Sequence, residues 1–251
     1  MTKLKKLTEI NEREIKFHNE LHSKKSGRKE NIFYKAIHNM YLDFFNYLKN
    51  NTENKNILDF GCGVGSITEQ VASQNPSRIT GIDISEVSIK KAKVNAEKLK
   101  LKIDYKVDNC ENSSIESNSF DLIYGSGILH HLKLESSVRE INRLLKKGGT
   151  MVFMEPLGTN PLINLYRKLT PNSRTSDEHP FVKEDFDFLN KVYNKVTVKY
   201  YGFLTLIFFP FYKDPNKSNI YKFIAAIDEI IFRFKFFKYF AWSILIIGKK
   251  S

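Results

Sequence analysis

Three glycines stand close together after the first strongly apolar segment of the chain. The segment is Asn56–Phe60, and Gly61, Gly63 and Gly65 follow it before a helical pattern begins at Ser66. Glycine lacks a Cβ atom, so such a loop can turn tightly and let a ligand approach its backbone. The start of the following helix adds free N–H donors. The spacing predicts a nucleotide-binding loop, with an ordinary strand-to-helix turn as the alternative.

An acidic residue ends the next apolar segment. Asp83 closes the run Arg78–Asp83, and a carboxylate at such a strand end can accept both ribose hydroxyls of an adenosine. Its alternative role is to cap the following helix. Nicotinamide-binding dehydrogenases have the spacing Gly-x-Gly-x-x-Gly, whereas Gly65 comes one place earlier here and Ser66 takes the dehydrogenase position. The two motifs together favour the sulfonium cofactor S-adenosylmethionine (SAM).

Short apolar segments alternate with amphipathic helices from Asn56 onward. This alternation predicts crossover units and a parallel sheet. Ser85 is suited to cap the helix after the second strand, and Lys146–Gly149 is suited to close the helix before the fifth. The predicted strands are Asn56–Phe60, Arg78–Asp83, Lys102–Val107, Phe120–Tyr124, Thr150–Glu155, Lys195–Tyr201 and Ala241–Gly248.

These motifs resemble those of the class I SAM-dependent methyltransferases, particularly the group that contains quinone-biosynthesis and small-molecule methyltransferases. The resemblance covers roughly residues 56–156, with Leu58–Gly65 similar to the family's first motif and Gly81–Ser85 to its second. It implies a three-layer, Rossmann-like α/β fold. Its sheet would have seven mostly parallel strands, with Ala241–Gly248 as the antiparallel last strand. The resemblance also implies an enzyme that uses SAM and releases S-adenosylhomocysteine (SAH).

The same resemblance implies which residues bind the cofactor. Asp83 would hold the ribose and Ile84 would pack on the adenine. In the third motif, Asp108 would take the adenine amino group and the backbone N–H of Asn109 would reach the ring. No metal-binding set is expected. The expected cofactor contacts are Asp59, Gly61, Cys62, Gly63, Gly65, Asp83, Ile84, Asp108, Asn109 and Ser126.

Three residues are candidates for proton transfer at the acceptor. Methyl transfer from a sulfonium is an in-line displacement, and a hydroxyl acceptor must also lose a proton, which an imidazole can take near neutral pH. By the resemblance, His130 and His131 lie near the transferable methyl, and His130 is the preferred base or positioning group. Glu155 ends the fifth strand and is expected to face the pocket. His179 lies in the polar segment 174–180, expected to form the acceptor wall. A purely structural role for the histidines stays open.

The composition constrains the class of protein. Hydrophobic side chains make up 41% of the 251 residues, enough for one full core. The two cysteines, Cys62 and Cys110, fit a reducing compartment better than a disulfide-built scaffold. No export-signal pattern follows the basic start of the chain, and no apolar run is long enough to span a bilayer. The sequence therefore predicts a cytoplasmic protein.

The formal net charge of +12 raises the alternative of a nucleic-acid partner. The lysines are spread along the chain, often beside acidic residues or asparagines, so a solvated surface explains most of the charge. Base-amino methyltransferases carry an Asn-Pro-Pro-aromatic segment after the fourth strand, and Gly125–Ile128 differs from it. A small-molecule acceptor is therefore preferred to a nucleic acid. An RNA-directed methyltransferase and a non-catalytic SAM-binding protein remain the alternatives.

Two regions extend the expected core. Residues 1–52 are interpreted as a helical lid, to which Phe17, His18 and Tyr34 would belong, with packing on the sheet as the alternative. Residues 53–251 would form the methyltransferase domain.

The domain contains an insert at about residues 203–240 with an apolar helical stripe. The stripe favours a hydrophobic, lipid-like acceptor or peripheral contact with the inner face of a membrane, whereas a core cover or homodimer surface is the alternative. Monomer and homodimer both stay open. The stripe consists of Ile220, Phe223, Ile224, Ile227, Ile230, Ile231 and Phe234.

Overall fold

A seven-stranded sheet organises the computed structural model, which describes residue 9 and residues 11–16, 32–170 and 178–251. The strand order is β3-β2-β1-β4-β5-β7-β6. β1 to β5 are parallel, and β7 runs antiparallel between β5 and β6. This confirms the expected fold. The strands are β1 (Asn56–Phe60), β2 (Arg78–Asp83), β3 (Asp104–Val107), β4 (Phe120–Ser126), β5 (Leu145–Pro156), β6 (Lys195–Tyr201) and β7 (Ser243–Lys249).

Helices surround the sheet, and several begin at side chains that cap them. The Ser85 hydroxyl accepts a hydrogen bond from the N–H of Ser88, as predicted, and Asn160 and Ser218 cap two later helices. Residues 11–16 are also helical. The α-helices are α1 (His38–Asn51), α2 (Ser66–Ala72), α3 (Glu86–Lys98), α4 (Leu134–Leu144), α5 (Pro161–Leu169), α6 (Lys183–Val192), α7 (Leu204–Ile207) and α8 (Asn219–Ile231). Short 3₁₀ helices cover Ile32–Ile37, Leu129–His131, Phe209–Phe211 and Lys235–Phe240.

Each face of the sheet carries an apolar core, because successive side chains of a strand point to opposite sides. In β1, Leu58 belongs to the core on one face and Ile57 to the core on the other. Val138 of α4 and Leu189 of α6 complete the first core. Phe44 of α1 completes the second. The strands thus have a helical layer on both faces, and their carboxyl ends stay accessible at one edge.

Strand bounds differ from the predicted ones mainly at β5. β1, β2 and β6 begin and end where predicted, and β3 and β7 each begin two residues later. β5 begins at Leu145 rather than Thr150, because Leu145 pairs with Phe120 of β4. The segment Lys146–Gly149 was predicted to close a helix. It lies instead inside β5, where the register shifts between the pairs Phe120–Leu145 and Leu122–Thr150. β4 continues to Ser126, which pairs with Met154 of β5.

Helix α1 packs against the sheet as part of the core. In the sequence-based prediction it belonged to a lid of residues 1–52. Phe44 on this helix is fully buried against the sheet. Tyr34, which precedes the helix, is exposed. The predictions for Phe17 and His18 concern residues outside the described ranges. Among the residues of this region that the structure describes, residues 11–16, considered below, approach the predicted site.

The face of the insert helix α8 that packs inward is not the apolar stripe identified in the sequence. Asp228 is buried, and its carboxylate accepts hydrogen bonds from the N–H groups of Phe203, Leu204 and Thr205. The Thr205 hydroxyl also donates to it, at 2.8 Å. These donors belong to the start of α7, so α8 must present Asp228 to the interior. Much of the stripe consequently faces outward, including Ile220, Phe223, Ile230 and Phe234. Within the described ranges, no helix combines the length and apolar character needed to cross a bilayer.

Candidate active site

The candidate site lies at the carboxyl ends of the central strands. β2 and β3 add to one side of β1, whereas β4 and β5 add to the other. Open parallel sheets bind ligands at such a switch point, beyond the carboxyl ends of their strands. Gly61, Asp83, Ser126 and Glu155 all lie at this edge. The fold therefore brings together four residues that are far apart in the sequence.

The glycine loop between β1 and α2 is held by backbone hydrogen bonds. The N–H groups of Gly61 and Cys62 both donate to the same β2 carbonyl, at 2.9 Å. Gly65 has a φ of +86°, and a Cβ atom there would overlap the Tyr105 hydroxyl. At Gly63, with a φ of +53°, no described atom lies within 4 Å of the Cβ position. Packing therefore requires Gly65, whereas Gly63 leaves one side of the loop open to a ligand.

The Asp83 carboxylate joins this loop to the loop after β2. Its Oδ2 accepts from the N–H of Gly63 at 2.9 Å, and its Oδ1 accepts from the N–H of Ser85 at 2.8 Å. A carboxylate offers about four lone-pair sites, so two remain for ligand hydroxyls. Helix capping, the alternative role for Asp83, falls to Ser85. Ile84, the expected adenine contact, is half-buried beside it.

Asp59 is a buried carboxyl group beneath the glycine loop. The Thr68 hydroxyl donates to its Oδ2 at 2.7 Å. Burial raises the pKa of Asp59 to about 7, the nearby charge of Asp83 adds to the rise, and hydrogen bonds from Thr68 and Tyr124 oppose it. Burial and the same two carboxylates also raise the pKa of the Cys62 thiol above its usual range. Asp59 thus supports the loop from inside rather than from its open side.

The loop after β3 is organised by Asp108. Its Oδ1 accepts from the N–H of Asn109 at 2.8 Å, and its Oδ2 accepts from the hydroxyls of Ser113 and Ser114, each at 2.9 Å. Asn109 is buried, and its side-chain amide donates to Asn11 at 3.3 Å. The Asp108 carboxylate therefore accepts most of its hydrogen bonds from groups of its own loop.

Helix α4 connects this loop with the loop after β4. Glu140 accepts a hydrogen bond from the N–H of Ser113 at 2.8 Å and pairs with Arg143 at 2.6 Å. Arg143 in turn donates to carbonyls of the same loop. The helix begins at Leu134, three residues after His131. Helix α4 thus forms hydrogen bonds with the loop after β3 and directly follows the loop after β4.

Glu155 fixes the His130 ring and the loop that carries it. Its Oε1 accepts from the N–H groups of Ile128 and Leu129, at 3.0 and 2.8 Å, and its Oε2 lies 2.7 Å from His130 Nδ1. The Glu155 side chain is fully buried. The expectation that Glu155 faces the pocket is therefore wrong, because both of its oxygens are turned into the loop. His130 keeps its second ring nitrogen, Nε2, for other partners.

His131 and Glu178 lie beside His130. The two imidazole rings are 4.1 Å apart between centroids. His131 Nδ1 lies 3.4 Å from Glu14 Oε2. One ring nitrogen of each histidine and one carboxylate oxygen of Glu178 all lie within 4.8 Å of one another. The loop after β4 and the segment before α6 therefore bring together two imidazoles and a carboxylate.

His179 takes a different position from the one predicted for it. Its ring lies 3.2 Å from Asp185 at the start of α6 and is 55% exposed. Its backbone N–H donates to the His130 carbonyl at 2.7 Å. Residues 171–177 lie outside the described ranges. The described part of the polar segment thus reaches the imidazole pair through Glu178 and the His179 backbone, whereas the His179 ring lies on Asp185.

Residues 11–16 bridge the loops after β3 and β4. Asn11 contacts Asn109 and Glu14 contacts His131, and both Asn11 and Glu14 are buried. Residues three apart on a helix share a face, so one face of this segment reaches both loops. This segment has the position expected of a lid over the site, and the lid function itself stays a prediction.

The chain matches a family model described as a methyltransferase domain over residues 58–153. It is 34% identical over 132 residues to a ubiquinone biosynthesis O-methyltransferase of Pelagibacter ubique, covering 47% of this chain and 54% of that protein. It is 30% identical over 162 residues to the protein of the same name from Nitrosococcus oceani, covering 60% and 67%. The matched region thus spans about half to two thirds of these relatives. The chain belongs to the class I SAM-dependent methyltransferases.

A solved methyltransferase structure extends the likeness to almost the whole fold. Geranyl diphosphate C-methyltransferase from Streptomyces coelicolor A3(2) superposes with a TM-score of 0.67 at 13% identity, covering 98% of this chain and 100% of that one. At this identity the superposition supports the fold and carries no argument about the acceptor.

The site of this methyltransferase family member fits SAM. Gly63 leaves the loop side open, Asp83 keeps two lone-pair sites, and half-buried Ile84 and Ser126 lie at the same edge. The individual cofactor contacts stay predictions. For Asp108, the predicted contact with the adenine amino group competes with the hydrogen bonds that its carboxylate already accepts.

Several residues of the site have no recognisable signal, or only a weak one, in the sequence. Asn11, Glu14 and Glu178 reach it from segments whose sequences match no motif. For Glu178, its place in the polar segment beside His179 was a usable signal, because the segment was expected at the acceptor. Thr68 and Tyr124, the hydroxyl partners of Asp59, gave no signal, because nothing in their spacing relates them to a buried acid.

Proposed function

We propose that the protein is a SAM-dependent O-methyltransferase whose acceptor is a small, apolar molecule with a hydroxyl group. The observation that carries the proposal is His130, held by the buried Glu155 at 2.7 Å, in the loop that follows the switch-point strand β4. A histidine oriented by a carboxylate is the arrangement of a general base. The name of the two relatives, ubiquinone biosynthesis O-methyltransferase, supports oxygen as the acceptor atom.

The residues divide the work of the reaction. When bound, SAM supplies an electrophilic methyl group on a sulfonium. Asp83 and the loop at Gly63 bind and orient the nucleoside. His130 Nε2 takes the proton from the acceptor hydroxyl, and the electrons of the broken O–H bond stay on oxygen. The oxygen would use an electron pair to bond the methyl carbon, while the bond from that carbon to sulfur breaks with its electrons on sulfur and SAH leaves. Glu155 stabilises the protonated imidazole, and residues 11–16 exclude water.

Production of SAH with defined acceptors tests the proposal. The purified protein is incubated with SAM and phenols that share one head group and carry alkyl chains of increasing length, and with matched alkylanilines. We expect SAH to form with the phenols, more rapidly for the longer chains, and not with the anilines. SAH formation that depends on added RNA would favour the RNA-directed alternative. Binding of SAH without turnover of any acceptor would favour a non-catalytic protein.

We also propose that the outward face of the insert binds an anionic lipid surface, from which apolar acceptors would be drawn. A groove of about 650 Å³ between α7 and α8 is lined by apolar side chains, including Phe208, Phe211 and Phe223. The same insert carries exposed lysines and an arginine, and basic residues of this kind suit anionic head groups. They are Lys213, Lys217, Lys222, Arg233 and Lys235.

Vesicle sedimentation tests the lipid contact. We expect the protein to sediment with phosphatidylglycerol vesicles and to stay in solution with phosphatidylcholine vesicles. Phe211→Ser and Phe223→Ser should each reduce the bound fraction several-fold, because both rings are exposed and their loss leaves the core intact. Leu99→Ser, at an exposed apolar residue at the end of α3, is the matched control. Equal sedimentation of all variants would remove the insert from the contact.

A further inference from the structure

We propose that Ile128 is a positioning residue that sets the separation between the glycine loop and His130. The Ile128 side chain packs directly over Gly61, the first residue of that loop. A Cβ atom at Gly61 would overlap Ile128 Cγ1, and it would lie 2.6 Å from Cδ1 and 3.0 Å from Cβ of the same side chain. Carbon atoms that are not bonded to each other pack about 3.5–4.0 Å apart. Ile128 therefore occupies the space that a side chain at position 61 would need.

The same side chain fills the space beside a second glycine. At Gly125, near the end of β4, a Cβ atom would lie 2.8 Å from Ile128 Cγ2 and 2.5 Å from the Phe153 ring. Gly125 does not have a positive φ, so its backbone conformation does not call for glycine, whereas the close approach of these two side chains does. β1 and β4 are neighbours in the sheet. Ile128 thus covers the carboxyl ends of both strands at the switch point.

Glu155 holds the backbone of Ile128 and the ring of His130 on one carboxylate. Its Oε1 accepts from the N–H of Ile128 at 3.0 Å, and its Oε2 lies 2.7 Å from His130 Nδ1. The segment that carries the proposed base is therefore fixed to a buried group, and the Ile128 side chain links that segment to the glycine loop. Isoleucine is β-branched, so rotation about its χ1 is restricted. This makes it a stiff spacer between the two loops.

The spacing matters for methyl transfer, and this consequence rests on the proposed function. Gly61 begins the loop that binds SAM, whereas His130 Nε2 receives the acceptor proton. The reacting atoms of a displacement must lie about 3–3.5 Å apart, and a misplacement of about 1 Å can lower the rate about a hundredfold. Loss of the Ile128 side chain leaves the His130–Glu155 pair and Asp83 in place. It should therefore lower turnover while the base and the affinity for the cofactor are retained.

Side chains of graded shape at position 128 test the positioning role. Ile128→Ala should lower kcat by about tenfold or more, with the affinity for SAH within about twofold of the wild type. Ile128→Val keeps the β-branch and should retain kcat within about threefold. Ile128→Leu has the same volume without the β-branch and should restore less of the rate than Ile128→Val. The pH dependence of kcat should keep its midpoint in all three variants, because His130 is still the base. Rates of SAH formation across a pH series and calorimetry with SAH measure these quantities.

Ile247→Ala is the matched control. Ile247 is a partly buried isoleucine of β7 that lies opposite Val152 in the sheet and packs against the core on the other face. The substitution removes the same atoms, and it should change neither kcat nor SAH affinity by more than about twofold. An equal fall in kcat in Ile247→Ala and Ile128→Ala would show a general effect of lost packing and would overturn the positioning role.

A double-mutant cycle tests the contact without any acceptor. Gly61→Ala should weaken SAH binding by about tenfold or more, because the new Cβ atom meets Ile128 and displaces the loop. In Gly61→Ala combined with Ile128→Ala, the contact at 3.0 Å is the part of this overlap that stays. The double variant should therefore bind SAH at least about threefold more tightly than Gly61→Ala alone. The strain of alanine at the positive φ of Gly61 is common to both variants and cancels in this comparison.

The two experiments separate the possible failures. Additive effects of the two substitutions on SAH affinity would overturn the contact between Ile128 and the glycine loop. Coupling in the cycle together with an unchanged kcat in Ile128→Ala would overturn the positioning role and leave the proposed methyl transfer intact. Absence of turnover by the wild type with every acceptor would remove the proposed function and, with it, the role in catalysis, whereas coupling in the cycle would still establish Ile128 as the spacer.

Discussion

The cofactor end and the acceptor end of the site are built in different ways. At the cofactor end, residues 59–85 form a continuous unit in which backbone N–H groups meet the Asp83 carboxylate and a β2 carbonyl. At the acceptor end, side chains from four distant segments meet, namely Glu14, His130, Glu155 and Glu178. The first end depends on backbone geometry and the second on side-chain identity. Substitutions should therefore affect cofactor affinity and turnover separately.

The largest expected effect is on turnover in His130→Ala. Removal of a general base typically lowers a rate by about 10²–10⁴-fold, so we expect kcat to fall in that range. The affinity for SAH should stay within about twofold of the wild type, because His130 belongs to the acceptor end. Initial rates of SAH formation and calorimetry with SAH measure the two quantities. A parallel fall in both would show that the two ends are not separable.

Asp83→Ala should have the converse effect. Loss of two charge-assisted hydrogen bonds, each worth about 1.5 kcal/mol, predicts about a 100-fold weaker affinity for SAH. Turnover at saturating SAM should change much less. Asp104→Ala is the control, since that carboxylate also lies on a strand but pairs with Arg78 at the surface. Unchanged SAH affinity in calorimetry would refute the ribose assignment.

Gly63 and Gly65, two of the positive-φ glycines of the loop after β1, should respond differently to alanine. An L-residue in the left-handed region costs about 1–2 kcal/mol, and at Gly65 the overlap with Tyr105 adds to that cost. We expect Gly65→Ala to lose roughly 2–4 kcal/mol of unfolding free energy by urea denaturation. Gly63→Ala should lose only about 1 kcal/mol while SAH affinity falls at least tenfold. Equal destabilisation with equal affinity would contradict the assignment of the open loop side.

A pH series should reveal the buried Asp59. In the folded protein the Asp59 carboxyl group keeps its proton up to about pH 7. In the unfolded chain the same group loses the proton near its ordinary pKa of 3.8. The stability that Asp59 contributes is therefore complete below about pH 4, falls as the pH rises to 7 and is constant above that. Asp59→Asn, whose amide oxygen can still accept from Thr68, should gain stability relative to the wild type between pH 5 and pH 8. A difference that does not vary with pH would contradict the raised pKa.

The cofactor end could be predicted from the sequence because its determinants are local. β1 and β2 begin and end at the predicted residues, and the Ser85 cap is confirmed. Glycine spacing and an acid at a strand end each have one direct structural meaning. The fold followed for the same reason, since alternating strands and helices leave few ways to build a sheet.

The acceptor end could be predicted only in part. His130 was placed in the correct loop, but the direction of the Glu155 side chain depends on the N–H groups of Ile128 and Leu129, whose positions the sequence does not encode locally. For the insert stripe, the sequence left an outward-facing and a core-facing position open, and much of the stripe faces outward because Asp228 finds four donors in another segment. A hydrophobic pattern identifies an amphipathic helix, but a buried carboxylate can decide which side of it meets the core.

Helix α4 gives the molecule a mechanical property that neither end has alone. Its 11 residues form a stiff helix about 16 Å long. The histidine pair directly precedes its first turn, and farther along the helix Glu140 and Arg143 form hydrogen bonds with the loop after β3. A rod moves as one piece, so settling of that loop around a nucleoside also steadies the imidazoles. Binding of SAM would then order the acceptor end of the site before the methyl group is transferred.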